Sequence, residues 1–195
     1  MFGMKRVVIA QHERGVYLKD RSIQKILQPG VYTVFDLLGR VEIQVYNLTL
    51  PEFMHPYEDV LLKEQRALCE QTFTVVELGE YQVGLVYKND KLAGVLAPAT
   101  RQLYWKGPVS VRVEVIDIAT DYAVAKNLAG LFANARKLPA EALNAVIKVE
   151  VADNYVGLLI VDGALVKTLQ AGLYVFWKFN RSIKVELVDL RVQAV

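Results

Sequence analysis

One stretch of this chain is written more than once. Gly15-Val16-Tyr17-Leu18-Lys19-Asp20 lines up with Gly157-Leu158-Leu159-Ile160-Val161-Asp162, and the same register carries Gln28-Pro29-Gly30-Val31-Tyr32 onto Gln170-Ala171-Gly172-Leu173-Tyr174. It still holds at Val45-Tyr46-Asn47-Leu48 and Leu187-Val188-Asp189-Leu190. A third copy lies between them: Gly84-Leu85-Val86-Tyr87-Lys88-Asn89, then Ala97-Pro98-Ala99, then Tyr104-Trp105-Lys106, then Val115-Ile116-Asp117-Ile118. Trp105-Lys106 matches Trp177-Lys178 after one inserted residue, which falls between Pro98 and Trp105. The period is about 70 residues, and a repeat of that kind is one supersecondary unit that buries its apolar faces by stacking on its neighbours.

Each copy reads as five short strands. An apolar run (Val7 to Ile9; Val75 to Leu78; Val149 to Val151) leads to a bend, and a second strand starts at Gly15, Gly84 or Gly157. A tight turn follows, at Asn89-Asp90 in the middle copy and at Asp162-Gly163 in the last, a pair that tolerates positive φ in a hairpin. A third strand (Ile23 to Leu27; Leu92 to Leu96; Leu165 to Leu169) ends at the Pro/Gly position. Pro29-Gly30 there suits a type II turn, because Pro pre-sets φ and Gly accepts the left-handed corner. An aromatic strand comes next, clearest in Leu173-Tyr174-Val175-Phe176-Trp177. The last strand alternates: Val41, Ile43 and Val45; Val109, Val111, Val113 and Val115; Ile183, Val185 and Leu187, with polar residues between. Period-two alternation marks a half-buried strand.

The connecting segments read as helical. Residues 56–71 open with Pro56 and carry Tyr57, Val60, Leu61 and Leu68 at helical spacing. Thr120-Asp121 reads as the N-cap of a helix with Val124, Leu128, Leu131 and Phe132 on one face, and Pro139-Ala140-Glu141 as the start of a second, with Leu143, Val146 and Ile147. The expected fold class is mainly β with helical linkers (α+β). Three tandem antiparallel β-modules occupy residues 1–50, 74–119 and 148–195, joined by helical linkers at 51–73 and 120–147.

Little in the chain points to catalysis. The two histidines, His12 and His55, stand at expected bends without a second His or Cys at metal-ligand spacing. Cys69, the one cysteine, sits in an expected helix, where a lone Cys behaves as a small core residue. A thiol nucleophile needs a histidine base beside it, and His55 is placed at the far end of the same segment. Gly15, Gly84 and Gly157 form no phosphate-binding pattern and read instead as bends or close backbone approaches. The aromatic runs around Trp105 and Trp177 read as core or module-to-module packing rather than a binding face, since aromatics bury the most area. The residues that define the copies are therefore Gly15, Pro29, Gly30, Gly84, Pro98, Trp105, Gly157, Gly172 and Trp177. No catalytic residue, cofactor or metal is expected.

Hydrophobic residues are 53% of the 195, the mark of a core-forming chain. Lys plus Arg number 23 against 21 Asp plus Glu, scattered along the chain, so no clustered basic face argues for a nucleic-acid partner. The longest apolar runs, such as residues 156–161, fall far short of the ~20 residues a spanning helix needs.

His12-Glu13-Arg14-Gly15-Val16 followed by Leu27-Gln28-Pro29-Gly30-Val31-Tyr32 is similar to the opening of SPFH domains, the stomatin, prohibitin and flotillin superfamily. It most resembles bacterial slipins that carry an extra N-terminal region. The third copy, from Val156 through Trp177 to Val188-Asp189-Leu190-Arg191, looks like the lead-in to the SPFH domain proper. The repeated modules also resemble those of the major vault protein. The resemblance implies a parent that continues past Val195 and assembles with copies of itself into a ring or cage, cytoplasmic and at a membrane surface or a membrane-protein partner. The expectation is a non-enzymatic scaffold segment whose modules make lateral contacts. The other reading open at this point is an adaptor that binds peptides along free sheet edges.

Overall fold

A computed structural model describes residues 3–134 and 138–193. The Met1-Phe2 start, residues 135–137 of the second linker and the terminal residues 194–195 lie outside the described residues. The fold is mainly β, in several small antiparallel sheets with few helices.

The strands follow one pairing pattern three times. In the first repeat β1 (Met4–Ile9) pairs with β4 (Gly30–Phe35), while β2 (Glu13–Lys19) lies between β3 (Ser22–Leu27) and β5 (Val41–Asn47). A two-residue strand β6 (Glu52–Phe53) and helices α1 (Glu58–Glu64) and α2 (Arg66–Thr72) come next. In the middle repeat β7 (Phe73–Glu77) pairs with β10 (Arg101–Trp105), which β6 extends on its other edge. There β8 (Gln82–Lys88) lies between β9 (Lys91–Leu96) and β11 (Val111–Asp117). After α3 (Lys126–Ala133) and α4 (Ala140–Asn144), β12 (Val146–Val151) pairs with β15 (Gly172–Trp177). Finally β13 (Tyr155–Val161) lies between β14 (Ala164–Leu169) and β16 (Ile183–Asp189), with a 3-10 turn at Leu190–Gln193.

The correspondence extends to single hydrogen bonds. Asp36 N–H donates to Gly3 O, Lys106 N–H to Thr72 O and Lys178 N–H to Ala145 O, each just past the aromatic strand. Leu48 N–H donates to His12 O, Ile118 N–H to Tyr81 O and Leu190 N–H to Asn154 O, each just past the alternating strand. The two-residue hairpins carry positive φ at both positions: Asp20 and Arg21 (51° and 64°), Asn89 and Asp90 (48° and 61°), Asp162 and Gly163 (51° and 84°). That is the twist a two-residue turn must have to match flanking strands. A register shift interrupts β2/β3 at Tyr17/Leu18 and β13/β14 at Leu159/Ile160. The extra residue of the middle repeat lies in the bend between β9 and β10, where Ala99 takes φ 54°.

Three local expectations are corrected. Gly30 does not make the left-handed corner of a type II turn, near +80°. Its φ is 157°, and it already pairs with Ile9 as the first residue of β4; Gly172 does the same at 149° against Val151. Residues 56–71 form two helices rather than one, because Gln65 leaves helical geometry (φ −130°, ψ 47°) and its Nε2 donates to Ile23 O at 2.9 Å. Leu61 and Leu62 are the buried residues of α1, while Val60 is exposed. Thr120-Asp121 caps no helix. Ala123 bridges Phe176 and Val124 N–H donates to Val175 O, so this stretch lines the edge of β15, and α3 begins only after Ala125. Leu128 and Phe132 are buried as its apolar face requires, and Leu131 is exposed.

The chain divides into two compact units: Met1–Val76 with Lys88–Asp90 and Arg101–Val111, and Glu77–Tyr87 with Lys91–Thr100 and Arg112–Val195. The strands of the middle repeat are shared between them.

Candidate assembly surfaces

The repeat has two kinds of sheet, and each unit buries one against the other. In the first unit Val16, Leu18 and Ile23, on one face of the sheet β3-β2-β5, join Leu48 to meet Phe53, Phe73, Leu103 and Trp105 from β6, β7 and β10. Leu61, Leu62 and Cys69 of α1 and α2 close this core. Phe73 and Trp105 rings stand 4.5 Å apart, and Phe53 meets Trp105 edge-on at 5.1 Å. Trp105 Nε1 is buried and meets no hydrogen-bond acceptor among the described residues, so the indole is held here by packing.

The second unit repeats the construction with different residues. Leu85 and Ile118, with Tyr87, Leu92, Val95 and Ile116 around them, meet Val146, Val175 and Trp177 from β12 and β15. Leu128 and Phe132 of α3 and Ala142 of α4 close this one, with Phe132 edge-on to Trp177 at 5.7 Å. A junction is thus a three-stranded sheet of one repeat against the two-stranded pairing of the next, sealed by the linker helices between them.

Two faces of the same kinds have nothing over them among the described residues. In β1 and β4, Met4, Thr33 and Phe35 are exposed. Phe35 pairs with Met4 as Trp177 pairs with Val146. It is nonetheless 65% exposed, where Trp105 and Trp177 are 2% and 1%. Leu37 and Leu38 stand exposed beside it. In the last sheet Leu165 is 62% exposed, and Leu190, in the 3-10 turn that follows β16, is 52% exposed. Their counterparts in the first repeat, Ile23 and Leu48, are buried.

The residues that define the repeat are brought together by these junctions and by the contacts inside each repeat. Gly15, Gly84 and Gly157 leave room for side chains at the end of the first strand of their repeats. A Cβ on them would meet Ile9, Leu78 and Val151 respectively, and each would also touch the matching leucine, Leu27, Leu96 or Leu169. Pro29, Gly30, Pro98 and Gly172 lie at the entry to the aromatic strand, away from the junction cores. The open faces around Phe35 and Leu165 went unnoticed in the pattern, although the ungapped register already set Phe35 on Trp177.

His55, Cys69 and His12, the residues weighed for chemistry, have the following surroundings. His55 is buried, its ring stacked 5.9 Å from Phe53, and its Nδ1 accepts a hydrogen bond from Tyr57 N–H at 3.0 Å. Burial pushes its pKa below the usual imidazole value. Cys69 is fully buried, and burial pushes its thiol up. His12 is exposed in the first bend, and its carbonyl accepts from Leu48. Among the described residues no three His, Cys, Asp or Glu side chains are grouped to hold a metal ion, and no helix is long and apolar enough to cross a membrane. No family model matches the chain, and neither a curated protein nor a solved structure does.

Proposed function

We propose that this chain is a non-enzymatic scaffold segment of a slipin-like SPFH protein, supporting homo-oligomeric ring or cage assembly at a membrane surface. The observation that carries the reading is the junction itself. Two of them are built from matching faces, with Trp105 central to one and Trp177 to the other, and further faces of the same kinds stand open. Contiguous exposed apolar surface of that kind marks a contact site. The ring or cage and the membrane surface come from the resemblance at residues 12–16 and 27–32. Light scattering over a series from micromolar to millimolar chain, without detergent, tests the assembly part. The apparent mass rises with concentration if the reading holds. A strictly monomeric chain at the top of the series overturns it.

A further inference from the structure

We propose that the groove between the start of the first linker and β10 binds an arginine of a partner peptide, held by His55, Glu58 and Gln102. The site stands apart from the assembly reading and does not depend on it.

The groove has a volume of about 410 Å³ and is lined by Met54, His55, Pro56, Glu58 and Gln102, all within the first compact unit. That is room for one long side chain and its peptide group. Each of the three polar residues keeps one group unused. His55 is only 7% exposed. Its ring is stacked on Phe53, the Tyr57 ring lies 5.3 Å away, and Nδ1 accepts from Tyr57 N–H. A neutral imidazole whose Nδ1 accepts carries its proton on Nε2. That N–H meets no acceptor among the described residues, and the ring edge that bears it is the part left to line the groove. Gln102 donates its amide N–H groups to Phe53 O at 3.1 Å and Leu103 O at 3.0 Å, which fixes the amide and leaves Oε1 as a free acceptor. Glu58 is half-buried, and no cation lies against it among the described residues.

The charge the groove lacks is positive. No Lys or Arg is among the residues that line it, and the nearby cations are held elsewhere, Arg101 by Asp59 and Lys88 by Glu52. Glu42 of β5 is close enough to act on His55 and adds a second negative charge. A guanidinium answers this in shape as well as sign: its planar fork can set two N–H groups on the Glu58 carboxylate and another on Gln102 Oε1. Met54, 75% exposed, and Pro56 offer apolar surface to the methylene stem. The peptide carbonyl of the same arginine is the acceptor for His55 Nε2–H.

The junction itself does not call for these groups. Glu52 pairs with Tyr104 as Ala123 bridges Phe176, and Pro51 O accepts from Trp105 N–H as Tyr122 O accepts from Trp177 N–H. Counting on from that match puts Lys126, Ala129 and Tyr174 where the first junction has His55, Glu58 and Gln102. Tyr174 Oη donates to Gln170 O in the bend before its own strand. The second junction thus closes with no imidazole, no carboxylate and no side-chain amide at these positions.

N-acetyl-arginine amide titrated into dilute isotope-labelled chain tests the site by NMR, with N-acetyl-citrulline amide, its neutral isostere, as control. Saturable shifts at Met54, His55, Glu58 and Gln102 in the millimolar range are expected, the His55 Nε2 resonance moving with them. The citrulline compound is expected to bind about tenfold more weakly, and Glu58→Gln to weaken arginine binding about tenfold, through loss of a charge-assisted contact. Thermal melts of Glu58→Gln are expected to match the parent; should it melt early, the citrulline comparison on the parent decides alone. No saturable shift at these residues, equal binding of the two compounds, or unchanged affinity in a folded Glu58→Gln overturns the proposal. None of these outcomes bears on whether copies of the chain associate.

Discussion

Val185 crowds Gly157. A side-chain carbon on the glycine would stand 3.1 Å from the valine's Cγ1 and 3.2 Å from both Leu169 Cβ and Val151 Cγ2. All three neighbours are stiff, two of them β-branched and one a backbone-proximal carbon. At Gly15 the tightest neighbour is the terminal methyl of Ile9, at 2.5 Å, which can swing aside. Gly157→Ala is therefore expected to cost ~1–3 kcal/mol through overpacking, and Gly15→Ala less. Gly94 has open space around it, and Gly94→Ala is expected to be neutral or slightly stabilising. Urea midpoints for the three variants check the order; a Gly157→Ala midpoint equal to the parent's refutes it.

The same strand position should give opposite results in different repeats. Trp177→Ala removes a fully buried side chain and is expected to destabilise the chain by ~3–5 kcal/mol. Phe35→Ala, measured at dilute concentration where copies are apart, is expected to stay within ~0.5 kcal/mol of the parent. Equal losses for both would mean that Phe35 is covered in the single chain.

Arg21 occupies, at φ 64°, the hairpin position that Gly163 holds at φ 84°. A left-handed non-glycine residue costs ~1–2 kcal/mol, and glycine returns part of that as unfolded-state entropy. Arg21→Gly is expected to raise the unfolding free energy by ~0.5 kcal/mol, and Gly163→Ala to lower it by ~1 kcal/mol. A Tm that falls for Arg21→Gly contradicts the assignment.

Asp36 gives the first repeat an acid sensitivity. Burial alone would push its carboxyl up, but the Lys5 ammonium at 3.0 Å and the N–H groups of Val41 and Arg40 hold it at about 2, against an ordinary 3.8. A depressed carboxylate stabilises the fold fully above its ordinary value and loses that contribution as pH falls through the lowered one. The parent should therefore lose stability between about pH 4 and about pH 2. Asp36→Asn should be less stable at neutral pH and flatter across that window. Identical acid profiles for the two would rule Asp36 out.

The strands were legible because their signals are local. Alternation at Val41-Ile43-Val45 and the Asp162-Gly163 pair each fix a strand or turn without help from the rest of the chain. The helices were less legible where tertiary partners intervene. Gln65 breaks its segment to reach Ile23 O, and residues 122–124 are drawn onto the edge of β15. The junctions were half legible. The matching of Trp105 with Trp177 showed that the copies share an aromatic, but not that it faces the preceding repeat, because periodicity sorts residues into faces without saying what covers each one. For the same reason nothing in the pattern set Phe35 apart from Trp177.

The middle repeat divides its strands between the two compact units, so what is copied along the chain and what packs together are out of step. Copying a whole repeat with its linker would insert one three-stranded face and one two-stranded face, each already fitted to the neighbour it would meet, and the chain would lengthen by one complete core with no new recognition to evolve. Excising residues along the boundary of a packed unit would cut through the middle repeat's own strands, such as β8 and β11, and leave broken hairpins. Growth and loss in a lineage of such chains should therefore proceed in whole repeats, with breakpoints in the helical connections.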